Sequence, residues 1–581
     1  MAEISSAKHT RFLHIVLLLT LCLIVLFWRL GDLPFFDRGE PREGLVVWEM
    51  YHSGNWILPA VNGEYIPFKP PLFHWLGLII AHLFGHVDEL TLRLPSALLA
   101  TLGVLMTYLA GARLWGERAG VVAGIVLATC VEWWAAGADT QVDMTLAFFI
   151  SAACLYFYYL YTRKDFGLRQ SLGLPVLVGL ATLAKGPVGL AVPSLVILVF
   201  LCVRRDFAFV KRLHLLASAA VFLVVAGSWY ALALWQGGLP FFFRQIVNET
   251  LLTAVGNYGH HQPIYYYIPI FLQNTMPWSF FFPALALDLY RQRRQASHEH
   301  LLFPSLWIVT VLVFFSLALG KRGVYILPLY PACALLFGAW WQQLEKGSPE
   351  NSRLTDWIGW LVAGAYTVAL AALGLYIAGQ YGLIKSHLLA PAKKAGHLSQ
   401  ILASLIPLTP LVAACLILFA AAVGCLAWAL FKKNRRVAFA SLAAMAVVVP
   451  LVTKSAIFPP VVYARTMKPF IERVSAKIDP KIPLLFYRGF DLGAIFYSHR
   501  HVPSYARKAA ELKPPFFLFM WEEDWQLLRG RSDLQMVDIS EGLGAVGKHR
   551  LVLVRYQPNS ESPSQPLPVY GNKRNPYTNG E

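Results

Sequence analysis

The chain has 581 residues, of which 57% are hydrophobic and only 14% are charged, whereas soluble domains carry roughly 25% charged residues. Its 50 Lys and Arg exceed its 33 Asp and Glu, and the formal net charge is +17. The high apolar content excludes a soluble enzyme and a disordered scaffold, and it predicts an α-helical multispan membrane protein. The basic residues form short clusters between apolar runs, which is typical of membrane topology and excludes a nucleic-acid-binding protein.

About 13 apolar runs are long enough to cross a bilayer when roughly 20 residues are counted per span. The first run follows Lys8 and Arg11 and lacks a small-residue cleavage site. We therefore interpret it as a retained signal anchor with a cytoplasmic N-terminus. The predicted spans are 12–30, 93–113, 119–137, 143–162, 171–185, 188–203, 213–236, 264–288, 302–320, 323–341, 356–380, 406–431 and 437–453.

Basic clusters follow most of the even-numbered spans, as expected for cytoplasmic loops. Thirteen spans, counted from a cytoplasmic N-terminus, place the C-terminus in the periplasm. The sequence thus predicts a transmembrane domain over 1–453, with a first periplasmic loop carrying interfacial helices at 31–92.

The segment after residue 453 has the pattern of a small soluble domain. We predict a periplasmic α/β domain over 454–555 and, from the Pro, Ser and Asn content, a disordered tail over 556–581. The β-like runs are Ile482–Tyr487, Pro515–Met520 and Arg550–Val554, and the amphipathic helix candidates are Met467–Ile478 and Asp524–Arg529.

The first external loop carries the densest group of charges. Asp37, Glu40 and Arg42 follow the first span directly, and Lys69 precedes two prolines. Carboxylates and cations at a membrane surface can divide the two tasks of group transfer, which are proton removal and leaving-group stabilisation. The same charges also fit a solvated amphipathic helix with ordinary ion pairs.

Two further charges lie beside apolar runs. Asp143 begins the predicted fourth span, where an acid is either functional or a helix cap. Lys185 lies at a Lys-Gly-Pro break between two short apolar segments, where exposed backbone groups need a cavity or the protein interior. Lys185 is therefore a candidate phosphate ligand.

Ten short segments, spread in order along nearly the whole chain, match the motifs of a known family. In chain order they are GEPREGLVVWEM, SGNWILPAVNGEYIPFKPPLFHWL, LRLPSALLA, DMTLAFF, GLATLAKGPVGL, HHQPIYYYIP, MPW, KRGVYILPLYP, ARTMKPF and FYRGFDLGAIFY. This set resembles glycosyltransferase family 39, which includes the lipid A aminoarabinose transferases and the protein O-mannosyltransferases. The resemblance is closer to the bacterial lipid A branch.

The resemblance implies a GT-C architecture and an inverting transfer from a polyprenyl phosphate sugar donor to lipid A or another glycolipid acceptor. The reaction would take place at the periplasmic face of a bacterial inner membrane. Membrane lipids would surround the enzyme, and no nucleic acid is implied. A protein O-mannosyltransferase-like enzyme stays an alternative, as does a transporter or flippase, although such transporters are commonly built from repeated halves that we do not find.

The family's loop motif usually carries adjacent Asp and Glu before an Arg. Here Gly39 replaces the Asp, so Glu40 and the shifted Asp37 are both candidates for the main carboxylate. We favour Glu40, because it keeps the register with Arg42. Pro41 suits the first helical position, which would make Glu40 the N-cap, with its side chain directed toward Arg42 and Lys69.

The resemblance also suggests which residues bind the donor phosphate. Lys69 would stabilise the charge that develops on the departing phosphate, although a snorkelling lysine is an alternative, and Arg42 either contacts phosphate or pairs with Glu40. The further phosphate-binding candidates are Lys185, Lys321, Arg322 and Tyr325, of which the last three open the predicted tenth span on the external side, against the positive-inside trend.

His260 matches a family position, but adjacent histidines point in different directions and are weak evidence for a metal. Phe68 replaces an acid often found before Lys-Pro-Pro. The sequence implies no firm cofactor, leaves open whether a divalent cation takes part, and identifies no metal ligands.

Overall fold

The computed structural model describes residues 2–63, 67, 69–163, 165–245, 247, 261–292, 299–347, 352–380, 409–545, 547, 549–558 and 567–568. The chain divides into two compact units. Unit 1 comprises Met1–Leu30, Pro95–Ala231 and His260–Phe458, and unit 2 comprises Gly31–Leu94, Leu232–Gly259 and Pro459–Glu581.

The described residues are mainly helical. The helices, numbered in chain order, are α1 Ala2–Cys22, α2 Gly39–Ser53, α3 Leu72–Phe84, α4 Glu89–Trp115, α5 Glu117–Thr129, α6 Val131–Gly137, α7 Val142–Arg163, α8 Leu168–Ser171, α9 Gly173–Lys185, α10 Val188–Arg204, α11 Ala208–Arg212, α12 Leu215–Phe222, α13 Ser228–Phe241, α14 Tyr267–Asn274, α15 Phe282–Gln292, α16 Glu299–Leu317, α17 Tyr330–Glu345, α18 Ser352–Gln380, α19 Pro410–Phe431, α20 Arg435–Val452, α21 Phe458–Tyr463, α22 Lys468–Ser475, α23 Leu492–Ser498, α24 Tyr505–Lys508 and α25 Glu522–Leu528. Short π-helical turns lie at Leu23–Phe27, Leu223–Gly227 and Thr453–Ile457, and 3₁₀ turns at Trp278–Phe281 and Gly323–Leu329.

The multispan character predicted from composition is confirmed. Within the described residues, nine helices are long and apolar enough to cross a membrane, and a tenth span is formed if α5 and α6, which are bent by 65°, count as one. The nine are His9–Phe27, Glu89–Trp115, Val142–Arg163, Leu215–Gln245, His300–Leu317, Gly323–Glu345, Ser352–Ala378, Pro410–Phe431 and Arg435–Tyr463.

Besides the bent pair α5 and α6, three further predicted spans fall on shorter or broken helices. The run 171–185 forms α9 with 13 residues, and 188–203 forms α10 with 17. The run 264–288 is divided between α14, a 3₁₀ turn and α15. Apolar composition predicted a span here, but Pro277, which follows a cis bond, interrupts the helical hydrogen bonds.

The break between α9 and α10 depends on two glycines of unit 1. Gly186 follows α9 with φ +80°, a conformation that glycine adopts without steric cost. A Cβ atom on Gly189 would lie only 2.2 Å from the backbone carbonyl carbon of Ala181. The two helices therefore approach closely, and Lys185 occupies the turn between them, as the broken-helix prediction required.

Unit 2 contains a four-stranded sheet in the order β1-β2-β4-β3. Strands β1 and β2 are parallel, whereas the β2–β4 and β4–β3 pairs are antiparallel. The strands are β1 Leu484–Phe486, β2 Phe516–Trp521, β3 Leu534–Ile539 and β4 Leu551–Tyr556. Three were predicted from apolar runs, but β3 is a partly exposed edge strand of mixed polarity and gave no such signal.

One face of this sheet and the segment after the first span share a hydrophobic core. Phe35 and Val47 of that segment lie in one buried cluster with Phe486, Phe519 and Leu553 of the strands. The predicted first loop and the predicted C-terminal domain thus build one compact unit.

The predicted tail, 556–581, lies largely outside the described residues. Tyr556 ends β4, and Leu567 is buried against the opposite face of the sheet.

Candidate active site

The irregular segment before α2 is fixed by hydrogen bonds within unit 2. The Arg93 guanidinium donates to the Leu33 carbonyl at 2.7 Å. The Phe35 amide donates to the Tyr497 hydroxyl at 2.6 Å, and the Phe35 carbonyl accepts from the Thr466 hydroxyl at 2.7 Å. These bonds hold the backbone that carries Asp37.

Asp37 caps the N-terminus of α2. Its Oδ1 accepts the backbone N–H groups of Gly39 and Glu40, both at 3.0 Å. We predicted Glu40 at the N-cap of a helix beginning near Pro41, and this geometry was wrong, because the helix begins at Gly39 and Glu40 lies in its first turn. The capping carboxylate is the shorter Asp side chain, which reaches back to the first amide groups.

Glu40 forms a buried ion pair with Arg93, a partner that we did not predict. Its two carboxylate oxygens accept from Nε and Nη2 of Arg93, at 2.7 and 2.8 Å. Both side chains are almost fully buried. Such a two-pronged pair fixes the orientation of the carboxylate. The sequence analysis missed Arg93, although a lone arginine inside the apolar segment LRLPSALLA was a usable signal.

Arg42 pairs with Glu43. Its Nε and Nη2 atoms donate to Oε1 of Glu43, and Oε2 of Glu43 lies 2.8 Å from Nε2 of His74. Burial alone would raise the pKa of Glu43, but Arg42 and His74 outweigh it and lower the pKa to about 2. Glu43 and His74 were not among the predicted site residues.

The pKa of Asp37 is shifted in the opposite direction. Burial raises it, and the nearby charge of Glu40 adds to this effect, while the two backbone donors and Arg42 oppose it. A half-buried carboxylate with a raised pKa is better matched to proton transfer than an ordinary surface Asp.

Lys69 lies in unit 2 three residues before the start of α3, and its side chain is partly exposed. The neighbouring Phe68 lies outside the described residues. The carbonyl of Pro67 accepts from the side-chain amide of the buried Gln245 at 2.6 Å, which fixes the backbone just before Lys69.

A second polar cluster lies in unit 1, and we call Asp143, Lys185 and Tyr325 the membrane cluster. The Lys185 ammonium donates to Oδ1 of Asp143 at 2.5 Å and lies 4.4 Å from the centre of the Tyr325 ring. The structure thus brings together three residues predicted from separate segments. Glu132 and Asn274 form a further pair, at 2.5 Å, that the sequence analysis did not select.

The remaining predicted residues have different environments. The buried Lys321 ammonium donates to the carbonyls of Gln262 and Ala318, which indicates that it joins two backbone segments. Arg322 lies directly before the 3₁₀ turn that carries Tyr325; its backbone is extended, and the residue is partly exposed. His260 lies outside the described residues.

No group of three or more His, Cys, Asp or Glu side chains in the described ranges is arranged to hold a metal ion.

Comparison with known proteins supports the family resemblance. The family described as dolichyl-phosphate-mannose-protein mannosyltransferase matches residues 68–230. The chain is 30% identical over 350 residues to the undecaprenyl phosphate-alpha-4-amino-4-deoxy-L-arabinose arabinosyl transferase of Aeromonas hydrophila, a match that covers 59% of this chain and 63% of that protein. The protein of the same name from Aeromonas salmonicida is 30% identical over 352 residues, with 60% and 63% covered. The chain thus spans less than two thirds of the length of these relatives.

The fold resembles that of ArnT from Cupriavidus metallidurans, whose crystal structure was determined with bound undecaprenyl phosphate. The superposition covers 93% of this chain and 97% of that chain, with a TM-score of 0.74 and 22% sequence identity. The family match and these relatives thus agree with the resemblance that the sequence motifs indicated, and the superposition shows the GT-C fold.

Proposed function

We propose that the protein is an inverting membrane glycosyltransferase that takes a sugar from a polyprenyl phosphate donor and transfers it to lipid A or another envelope glycolipid. The resemblance to the aminoarabinose transferases supports this donor class. It also supports the bacterial inner membrane as the location, with the acceptor on the periplasmic face.

In the proposed reaction, the acceptor oxygen forms a bond to the anomeric carbon of the sugar. The bond between that carbon and the phosphate oxygen breaks, and polyprenyl phosphate leaves with the electron pair. A hydroxyl acceptor must also give up its proton, whereas a lipid A phosphate is already anionic and needs only to be oriented.

We assign to Asp37, rather than to the Glu40 favoured from the sequence, the role of accepting the proton of the acceptor. Both oxygens of Glu40 accept from Arg93, whereas the two helix-capping bonds of Asp37 use a single oxygen, Oδ1. Its raised pKa favours proton acceptance. This position of Asp37, held by the start of α2, is the observation that carries the proposal. Glu40 then acts as a positioning residue that orients the first turn of the helix through Arg93.

Cations stabilise the departing phosphate in this proposal. An ammonium has three donors, and Lys185 uses one toward Asp143, so it can also donate to a phosphate oxygen. The candidate phosphate ligands are Lys185, Arg322 and Tyr325 within unit 1, and Lys69 and Arg42 within unit 2. Fixed cations of this kind favour the transition state, where the phosphate charge is largest.

The test is sugar transfer by the purified full-length protein in lipid nanodiscs. Labelled undecaprenyl phosphate aminoarabinose, with lipid A as acceptor, should give labelled lipid. Parallel reactions with polyprenyl phosphate mannose and a protein acceptor test the mannosyltransferase alternative. If none of these donors loses its label to any acceptor, the proposed function is wrong.

Asp37→Asn should reduce transfer about 10²- to 10⁴-fold, the usual range for a general base, without a matching loss of folded protein. The control is Asp479→Asn, since exposed Asp479 also accepts a backbone N–H two residues along the chain, from Lys481. Equal turnover in the two variants would remove Asp37 from the reaction.

A further inference from the structure

A cavity of about 510 Å³ lies at one end of the helices of unit 1, away from the residues discussed above. It is lined by the last turns of α7 and α10, by α11 and by the first turn of α16. The positive-inside rule assigns this end to the cytoplasm, because the basic segment 204–212 connects the helices here.

The cavity has a cationic rim. Arg204, at the end of α10, and Arg212, at the end of α11, line it and are both exposed. Asp206 also lines it, and among the described lining residues Arg204, Arg212 and Asp206 together carry a formal charge of +1. His300 adds a ring nitrogen, Nδ1, that lies 2.9 Å from the Tyr158 hydroxyl. Guanidinium groups bind phosphate through two parallel donors.

The floor of the cavity is aromatic. Tyr158 stacks on Phe303 with 4.5 Å between ring centres, and the Tyr161 ring meets the Phe200 edge at 4.9 Å. Phe209 of α11 packs on Tyr161 at 5.1 Å. A cationic rim above an apolar floor matches a molecule with a phosphate at one end and hydrocarbon at the other.

Apolar side chains beside the cavity are directed outward. Val203 and Phe207 are 52% and 55% exposed; Val203 directly precedes Arg204, and Phe207 follows Asp206. Exposed apolar residues next to basic residues at a helix end are typical of a segment lying in the headgroup region of a bilayer. A free phosphate would need the arginines alone, so this arrangement favours a lipid.

From these observations we infer that the cavity binds the phosphodiester headgroup of an anionic phospholipid, with Arg204 and Arg212 on the phosphate and the aromatic floor against the glycerol and upper acyl chains. Basic pockets between membrane helices on the cytoplasmic side bind such headgroups. This site takes a lipid that is neither donor nor acceptor of the proposed transfer.

The first test uses native mass spectrometry of the delipidated full-length protein, titrated with phosphatidylglycerol or phosphatidylcholine. Phosphatidylglycerol should bind more tightly, and Arg204→Gln with Arg212→Gln should weaken its binding about 30-fold, from the usual contribution of each basic residue near a membrane surface. The control pair, Arg205→Gln with Lys211→Gln, removes the same charge from the same segment outside the cavity lining. An equal loss in the control pair would show attraction by overall charge and overturn the site.

A second variant tests the cavity without removing charge. Exposed Ala208 lines it, so Ala208→Trp should fill the space and weaken phosphatidylglycerol binding at least tenfold, whereas Ala208→Ser should leave it unchanged. If Ala208→Trp binds like the parent protein, the lipid lies elsewhere.

Competition with inorganic phosphate separates the two sources of the anion, because displacement of the lipid by equimolar phosphate would identify a free-anion site and overturn the lipid assignment.

Discussion

The charged side chains of the loop before and within α2 divide into two groups by the partners they hold. Glu40 and Glu43 are almost fully buried and are each paired with an arginine, whereas Asp37 is half-buried and bonds backbone amides. Because paired buried charges are costly to separate, the two glutamates are suited to fixing the helix. Asp37 keeps the capacity to exchange a proton.

Loss of the Glu40 charge should destabilise the folded protein. Glu40→Gln leaves the buried Arg93 guanidinium without its anionic partner, and breaking a buried pair in this way typically costs about 3–5 kcal/mol. We expect a lower melting temperature in detergent by thermal unfolding. Glu511→Gln is the control, because Glu511 is 70% exposed in its pair with Lys508. A melting temperature equal to that of the control would contradict the role of Glu40 as an anchor.

Glu43 should make stability depend on pH in the acid range. In the folded protein its pKa is about 2, against 4.5 for an unperturbed glutamate. A lowered carboxylate pKa stabilises the folded state above pH 4.5, and this contribution disappears as the pH falls from 4.5 to 2. Glu43→Gln should therefore be less stable at pH 7 and should show a shallower loss of stability from pH 6 to pH 3.

The comparison is made by chemical unfolding at each pH, with Glu541→Gln as the control, since Glu541 is 68% exposed. Parallel curves for Glu43→Gln and the parent protein would mean that Glu43 has the same pKa in the folded and unfolded protein.

At the level of helices, the positions of Asp37 and of the membrane cluster are determined by where helices begin and end. Asp37 is fixed because α2 begins at Gly39, and Lys185 is fixed because α9 ends there and the chain reverses into α10. Helix ends leave backbone donors and acceptors without helical partners, and polar side chains collect at these points. In the described residues the membrane cluster therefore lies at interruptions of apolar helices.

Substitution at the α9–α10 turn should displace Lys185 without touching its side chain. In Gly189→Ala the new methyl group would meet the backbone of Ala181, which forces the helices apart, and close backbone contacts of this kind leave no room for relaxation. We expect at least a tenfold loss of transfer in the nanodisc assay and a lower melting temperature. Gly424→Ala, where nothing lies within 4 Å of the added Cβ, should behave like the parent. Full activity in Gly189→Ala would show that the turn does not position Lys185.

For the molecule as a whole, the distribution of basic loops predicts the topology in the membrane. Basic loops after the even-numbered spans predict a cytoplasmic N-terminus and a periplasmic sheet domain. A reporter that is active only in the periplasm, fused after residue 560, should be active, and the same reporter fused after Lys432 and Lys433 should be silent. The reverse pattern would change the number of spans by one.

Much of the fold could be predicted from the sequence, because hydrophobic length and periodicity are local properties. The membrane helices, the strands β1, β2 and β4, and the break at Lys185 all follow from runs of apolar residues and their interruptions. The 3₁₀ turn and cis bond within 264–288 could not be predicted in this way, since an apolar run has the same composition whether or not its helix is continuous. Edge strand β3 was missed because its half-exposed residues are mixed in polarity.

The sequence by itself determined that this is a multispan membrane protein of the GT-C type with acids and bases gathered near Pro41 and Lys185. Only the tertiary structure decided which charge meets which. Glu40 and Arg93 are 53 residues apart in the chain, and Asp143 and Lys185 are 42 apart. Ion pairing depends on distances of a few ångströms that arise only when helices pack, so no local pattern could assign Arg93 to Glu40, the pairing on which the proposed role of Asp37 rests.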